Sequence, residues 1–163
     1  MQGKPNRLFY LSARKPPFSQ ALPSRGIFAS GPAVILIVDD DPVFLGALTE
    51  ALTIAGSQVL AAGNADRALG LIERIGSEVG VVLVDLSLGS ASGFDLIQAI
   101  KAIDGSLPVI AFSGVSSLDV LESAKMLGAT EVLQKPFNPE WHAAIERVRR
   151  HSTGNPPTQT AKS

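Results

Sequence analysis

Between residues 33 and 150, five short apolar runs alternate with five stretches of helical spacing, and that order admits few folds. AVILIV (33–38), SQVLAA (57–62), VVLV (81–84), LPVIAF (107–112) and TEVLQ (130–134) read as strands. Between and after them, apolar residues recur at helical intervals over about 42–55, 65–76, 93–103, 116–127 and 138–150. Pro42 suits the first turn of the first helix, and Phe44, Leu45, Leu48 and Leu52 share one face of it. Strands apolar along their whole length are covered on both faces, and strands alternating with helices pair in parallel. Right-handed crossovers then give an α/β, doubly wound open sheet.

Such sheets bind ligands just beyond the carboxyl ends of their strands, where the strand order reverses. The first run ends in Asp39-Asp40-Asp41, the third in Asp85, the fourth in Ser113-Gly114 and the fifth in Gln134-Lys135-Pro136. The second ends in Ala61-Ala62-Gly63, which offers no chemistry. If the first and third strands are neighbours, three carboxylates converge. Carboxylates that close cannot all stay ionised without a cation. A hard divalent ion with oxygen ligands resolves the repulsion. Lys135 and the Ser113 hydroxyl border the same place. Metal, ammonium and hydroxyl together suit a transferring phosphoryl group. A carboxylate can itself be the nucleophile there and become an aspartyl phosphate.

Plainer roles are expected elsewhere. Asp41, directly before Pro42, should cap the first helix. Lys101 and Lys125 should be solvated. Leu118, Val120, Leu121 and Met126 should be mostly core, with any exposed remainder a partner face. Trp141 and His142 should pack or sit half exposed, and Arg147, Arg149 and Arg150 should favour the dipole at a helix C-terminus.

Composition removes other classes. The chain has no cysteine, and its two histidines are His142 and His151. Disulfides, thiol catalysis and three-histidine metal sites are therefore excluded. No run approaches the roughly 18 to 20 apolar residues of a membrane span. Residues 1–32 carry five bases, no acid and prolines at 5, 16, 17, 23 and 32. They read as a disordered basic extension, superficially like a transit peptide. Residues 33–151 hold 15 acids against 8 bases, a net charge of -7, which argues against nucleic-acid binding by the domain. Residues 152–163 read as a second disordered tail.

ILIVDDDP (35–42), VLVDLSLGSASGFDLI (82–97), VIAFSG (109–114) and VLQKPF (132–137) together resemble a receiver domain of two-component response regulators. The resemblance covers 33–151, in order and with normal spacing. It implies a five-stranded parallel sheet of flavodoxin-like order 2-1-3-4-5 with helices on both faces. It makes Asp85 the phosphoacceptor. Mg²⁺, or Mn²⁺, would be held by Asp40, by Asp39 through water, by Asp85 and by the Ser87 backbone carbonyl. Ser113 matches the switch hydroxyl, Lys135 the lysine that pairs with the acceptor and then the phosphate, and Gly93 the glycine that opens the third helix. The Lys135–Pro136 bond is usually cis in the family.

Some positions depart from the family pattern. Gly89 replaces a usual proline, Ser92 a usual acid, and Val132 the aromatic that often rotates inward on activation. Val115, two beyond Ser113, is an apolar neighbour for attacking water and implies slow self-dephosphorylation. The resemblance implies a cytoplasmic protein, not an enzyme in the ordinary sense, phosphorylated by a histidine kinase or phosphotransfer protein. No output domain follows residue 151, so it should act on a protein target through its helix 4–strand 5–helix 5 face, without DNA or membrane, and with homodimerisation left open. Two competing readings stand beside it. One is a phosphorylation-independent interaction module of the same fold. The other is a haloacid dehalogenase-type phosphatase using Asp39 and Asp41 as a D-x-D pair, although that family's continuation is missing. A dinucleotide site fails for want of G-x-G-x-x-G.

Overall fold

A computed structural model of the chain describes residues 34–152 except Ser90 and Ser116. The expectations for residues 1–32 and for the C-terminal tail beyond Ser152 lie outside the described residues. Five strands, β1 (Val34–Val38), β2 (Gln58–Ala62), β3 (Val79–Asp85), β4 (Val109–Ser113) and β5 (Glu131–Gln134), form one parallel sheet of order β2-β1-β3-β4-β5. Five helices alternate with them: α1 (Pro42–Ile54), α2 (Ala65–Ile75), α3 (Gly93–Ile103), α4 (Leu118–Met126) and α5 (Pro139–Ser152). The doubly wound sheet expected from the alternation is present, and its strand order is the one the resemblance implies.

The period-two alternation of each central strand divides the core into two layers. Leu36 and Val38 of β1, Val82 and Val84 of β3, and Ala111 of β4 face α2, α3 and α4. Ile35, Ile37, Val81, Leu83, Ile110 and Phe112 face α1 and α5, where Leu48, Leu52, Trp141 and Ile145 meet them. β3 begins two residues earlier than its apolar run suggests. Val34 pairs with Val79 and Ile35 with Val81, so Gly80 is the extra residue of a bulge. A glycine inside the strand is what hides its start from a reading of apolar runs.

Helix starts follow the caps. Asp41 Oδ1 accepts the Val43 and Phe44 amides, Asn64 Oδ1 the Arg67 amide, and Ser92 Oγ the Phe94 amide. Ser92, a departure from the family pattern, thus works as the N-cap of α3.

Two surface expectations need correction. Leu118 and Met126 are 75% and 87% exposed rather than core. α4 buries only Ala124 fully, so its other apolar residues lie at or beyond the rim of the core. Lys101 is not simply solvated. Its Nζ donates to the carbonyls of Leu107 (2.7 Å) and Gly105 (3.3 Å), tying α3 to the loop before β4. Burial therefore lowers its pKa, against the opposing charge of Asp104.

Candidate functional site

The site is built by register. Val38 pairs with Val84, so the residues that follow, Asp39 and Asp85, stand side by side at the carboxyl ends of adjacent strands. Both are buried although acidic, Asp39 at 0% and Asp85 at 3% exposure. One carboxylate oxygen from each of Asp39, Asp40 and Asp85 lies within 4.8 Å of the others, with Asp40 exposed at the rim. The predicted convergence of three carboxylates is present.

Lys135 closes the cluster. It follows β5 directly, and the Lys135–Pro136 bond is cis. Its Nζ lies 2.9 Å from Asp39 Oδ2 and 2.9 Å from Asp85 Oδ2. Backbone amides complete the carboxylates' bonding. Asp41 N–H donates to Asp39 Oδ1 at 2.8 Å, and Ser87 N–H to Asp85 Oδ1 at 2.9 Å. Ser113 ends β4, one residue past the register partner of Asp85. Its hydroxyl accepts the Val115 amide at 3.0 Å, and its carbonyl accepts the Lys135 amide at 2.9 Å. Asp41 faces its own helix as a cap, so it does not stand as the second member of a D-x-D pair.

The electrostatics follow from burial. Burial pushes the Asp39 carboxyl above its usual value and the Asp85 charge adds to this, against the opposing bonds to Lys135 and the Asp41 amide. Burial alone would lower Lys135, but its bonds to Asp39 and Asp85 outweigh it and hold the ammonium above the usual lysine value. One ammonium thus faces two buried carboxylates with a third beside them. A hard divalent cation on these oxygens would relieve the remaining repulsion, and an all-oxygen donor set suits Mg²⁺ or Mn²⁺. Gly89 leaves room at the rim, for a β-carbon there would come 2.7 Å from Asp40 Oδ2.

The sequence reading missed the aromatic wall behind Lys135. Residues 34–152 contain five aromatics, and Phe44, Phe112, Phe137 and Trp141 gather there. Their signal in the sequence is position, since each falls close to a strand end or a helix start. Trp141 is 1% exposed, and its indole N–H donates to the Gln134 carbonyl at 3.1 Å, one residue before Lys135.

Comparison with known proteins agrees with this geometry. The family model described as the response regulator receiver domain matches residues 35–146. The chain belongs to the response regulator receiver family. Sporulation initiation phosphotransferase F of Bacillus subtilis is 31% identical over 104 residues, covering 64% of this chain and 82% of that protein. Response regulator protein FleR of Pseudomonas aeruginosa is 30% identical over 125 residues, covering 77% of this chain but 26% of that protein. Several relatives are thus far longer, and this receiver chain spans roughly a quarter of their length. Among solved structures, a response regulator receiver domain protein from Clostridium thermocellum superposes with a TM-score of 0.70 at 30% identity, covering 74% of this chain and 97% of that one. A CheY-like receiver from Methanospirillum hungatei gives 0.69 at 26% identity, covering 74% and 96%. Receiver domains are signalling domains that generally accept a phosphoryl group and bind Mg²⁺ at an acidic pocket, and a cluster of three aspartates is present here. Among the described residues, no helix is long and apolar enough to cross a membrane.

Proposed function

We propose that Asp85 is the phosphoacceptor of a receiver that takes its phosphoryl group from a histidine kinase or phosphotransfer protein. The observation that carries this reading is Lys135 Nζ bridging the two buried carboxylates at 2.9 Å each. The Asp85 carboxyl is oriented by its bonds from Lys135 and from the Ser87 amide. One of its oxygens attacks phosphorus. The donor's P–N bond breaks, its electron pair stays on the leaving imidazole, and an acyl phosphate forms on Asp85. Lys135, already beside the carboxylate, is placed to pair with the incoming phosphoryl oxygens. Ser113 gives the switch hydroxyl, exchanging its bond from the Val115 amide for one to the phosphoryl group.

Asp39, Asp40, Asp85 and the Ser87 carbonyl are the residues that would hold Mg²⁺. When bound, the ion offsets the negative charge of the carboxylates and the phosphoryl group.

The receiver is proposed to act alone, in the cytoplasm, on a protein target and not directly on DNA. Support comes from relatives of receiver size, of which the chain spans 82% and 97%. The output face is proposed as α4–β5–α5, which carries the exposed Leu118 and Met126.

Intact mass after incubation with Mg²⁺ and acetyl phosphate tests the acceptor. One phosphoryl group should be gained, and an Asp85→Asn protein should gain none. If no adduct forms, a beryllofluoride titration followed by NMR decides. Binding of the mimic means a short-lived phosphoryl group, and no binding favours the phosphorylation-independent module.

A further inference from the structure

Lys135 meets more than carboxylates. Its Nζ lies 4.2 Å from the centroid of the Phe44 ring and 5.2 Å from that of Phe112. Phe44 is put there by a short chain of bonds. Asp39 Oδ1 accepts the Asp41 amide at 2.8 Å, and Asp41 Oδ1 accepts the amides of Val43 and Phe44 at 2.9 and 3.3 Å. The first turn of α1 is thereby fixed to a carboxylate that the ammonium also binds. Trp141 packs edge-on to the Phe44 ring at 6.2 Å, and Phe112 lies tilted against it at 5.7 Å.

An ammonium has three N–H donors. Those of Lys135 reach Asp39 and Asp85, while the ring lies against the same nitrogen. A ring face attracts a cation through its quadrupole and makes no directional demand on any one N–H. The ammonium can therefore turn its donors from one oxygen to another while staying on the ring. Its side chain is 22% exposed, so water screens this contact only in part.

We propose that Phe44 is a positioning residue for Lys135, its ring face being the seat on which the ammonium pivots between the Asp39–Asp85 pair and a phosphoryl group on Asp85. The inference rests on the phosphoacceptor reading of Asp85. It deepens that reading by assigning a role to a side chain that neither binds metal nor touches phosphate.

The test uses the full chain with Phe44→Leu, and separately with 3,4,5-trifluorophenylalanine at position 44. The fluorinated ring keeps the shape but loses most of the attraction for a cation. One measurement is a double-variant cycle of Phe44→Leu with Lys135→Met in urea unfolding, which needs no phosphoryl chemistry. The other is affinity for beryllofluoride in Mg²⁺. The two substitutions should be coupled. Affinity for the mimic should fall about three- to tenfold in both variants, while the fluorinated protein, which keeps the ring's packing, loses less stability than the leucine variant. Absence of coupling overturns the proposal, and so does coupling with unchanged affinity for the mimic, since Phe44 would then only pack. If the leucine variant does not fold, the affinity of the fluorinated protein decides alone. A wild-type protein that binds no mimic fails the phosphoacceptor reading, and the pivot falls with it. The cycle, which needs no ligand, tells that failure from the other.

Discussion

A β-carbon on Gly93 would lie 2.1 Å from the carbonyl oxygen of Asp85. It would also meet Leu86 Cα at 2.6 Å. Both are backbone atoms at the end of β3, so they cannot step aside as a side-chain tip can. The start of α3 reaches the end of β3 only because residue 93 has no side chain, and the Gly93 amide then bonds the Leu86 carbonyl at 3.3 Å. Gly93→Ala should destabilise the fold by about 1 to 3 kcal/mol, as forced overpacking does. Urea unfolding measures the loss, and the amide resonances of Asp85 to Ser87 should shift with it. A variant of wild-type stability with unmoved resonances would show that the two backbones do not touch.

Lys135→Met removes the cation and leaves two buried carboxylates facing each other. Asp39 and Asp85 have side-chain exposures of 0% and 4%. Removing one partner of a buried pair costs about 3 to 5 kcal/mol. The lysine is partly exposed, so the lower end, about 3 kcal/mol, is expected for unfolding in EDTA. Mg²⁺ should restore part of the loss, because a cation replaces the missing charge. A loss that Mg²⁺ leaves unchanged would contradict the electrostatic account of the cluster.

Lys101 gives a contrasting case, far from the acidic cluster. Gly128 has φ of +107°, and a β-carbon there would meet Lys101 Cγ at 3.0 Å. The lysine stem thus lies across the α4–β5 turn while its ammonium bonds two carbonyls of the α3–β4 loop. Lys101→Ala should cost about 1 to 2 kcal/mol, through lost bonds and lost stem packing. Lys125, exposed on α4, should tolerate alanine within about 0.5 kcal/mol. Equal effects at the two positions, compared by urea unfolding, would refute the distinction.

What the sequence made legible depended on whether the deciding contact was local. Asp39, Asp85, Ser113 and Lys135 can be found because each ends or directly follows an apolar run, and parallel strands bring such ends together. That Asp39 stands beside Asp85 depends on the strand order, which the apolar runs left open and the family resemblance supplied. The seat of Lys135 was not legible, because Phe44, Phe112 and Trp141 come from α1, β4 and α5, nearly a hundred residues apart. Helical spacing put Phe44 on the inward face of α1 but could not say that a lysine would lie on its ring. The same limit explains Leu118 and Met126. Periodicity tells which residues share a face, and only packing tells whether anything covers it. Gly80 hid the start of β3 because a bulge needs no apolar side chain.

Asp39 gives the protein a pH dependence whose sign can be worked out. Burial is the main cause of its raised pKa, and the charge of Asp85 adds to it. A carboxyl with a higher pKa in the folded state holds its proton more tightly there. Stability is therefore lost as pH rises from the usual carboxylate value up through the raised one, and it stays lost above that. Lys135 does not confuse this window, because its own pKa lies above the usual lysine value and it remains charged throughout. Asparagine at position 39 mimics the protonated acid, keeping an oxygen for the Asp41 amide and another polar group near Lys135. In EDTA, the unfolding free energy of Asp39→Asn minus that of wild type should rise as pH increases from the usual carboxylate value through the raised one. In Mg²⁺ the rise should shrink, since the cation favours the ionised carboxylate of the wild type alone. Urea unfolding at several pH values, with and without Mg²⁺, measures both curves. A difference that stays flat in EDTA, or slopes the other way, would mean that Lys135 already compensates the buried charge and that Asp39 carries no unrelieved repulsion for a metal to remove.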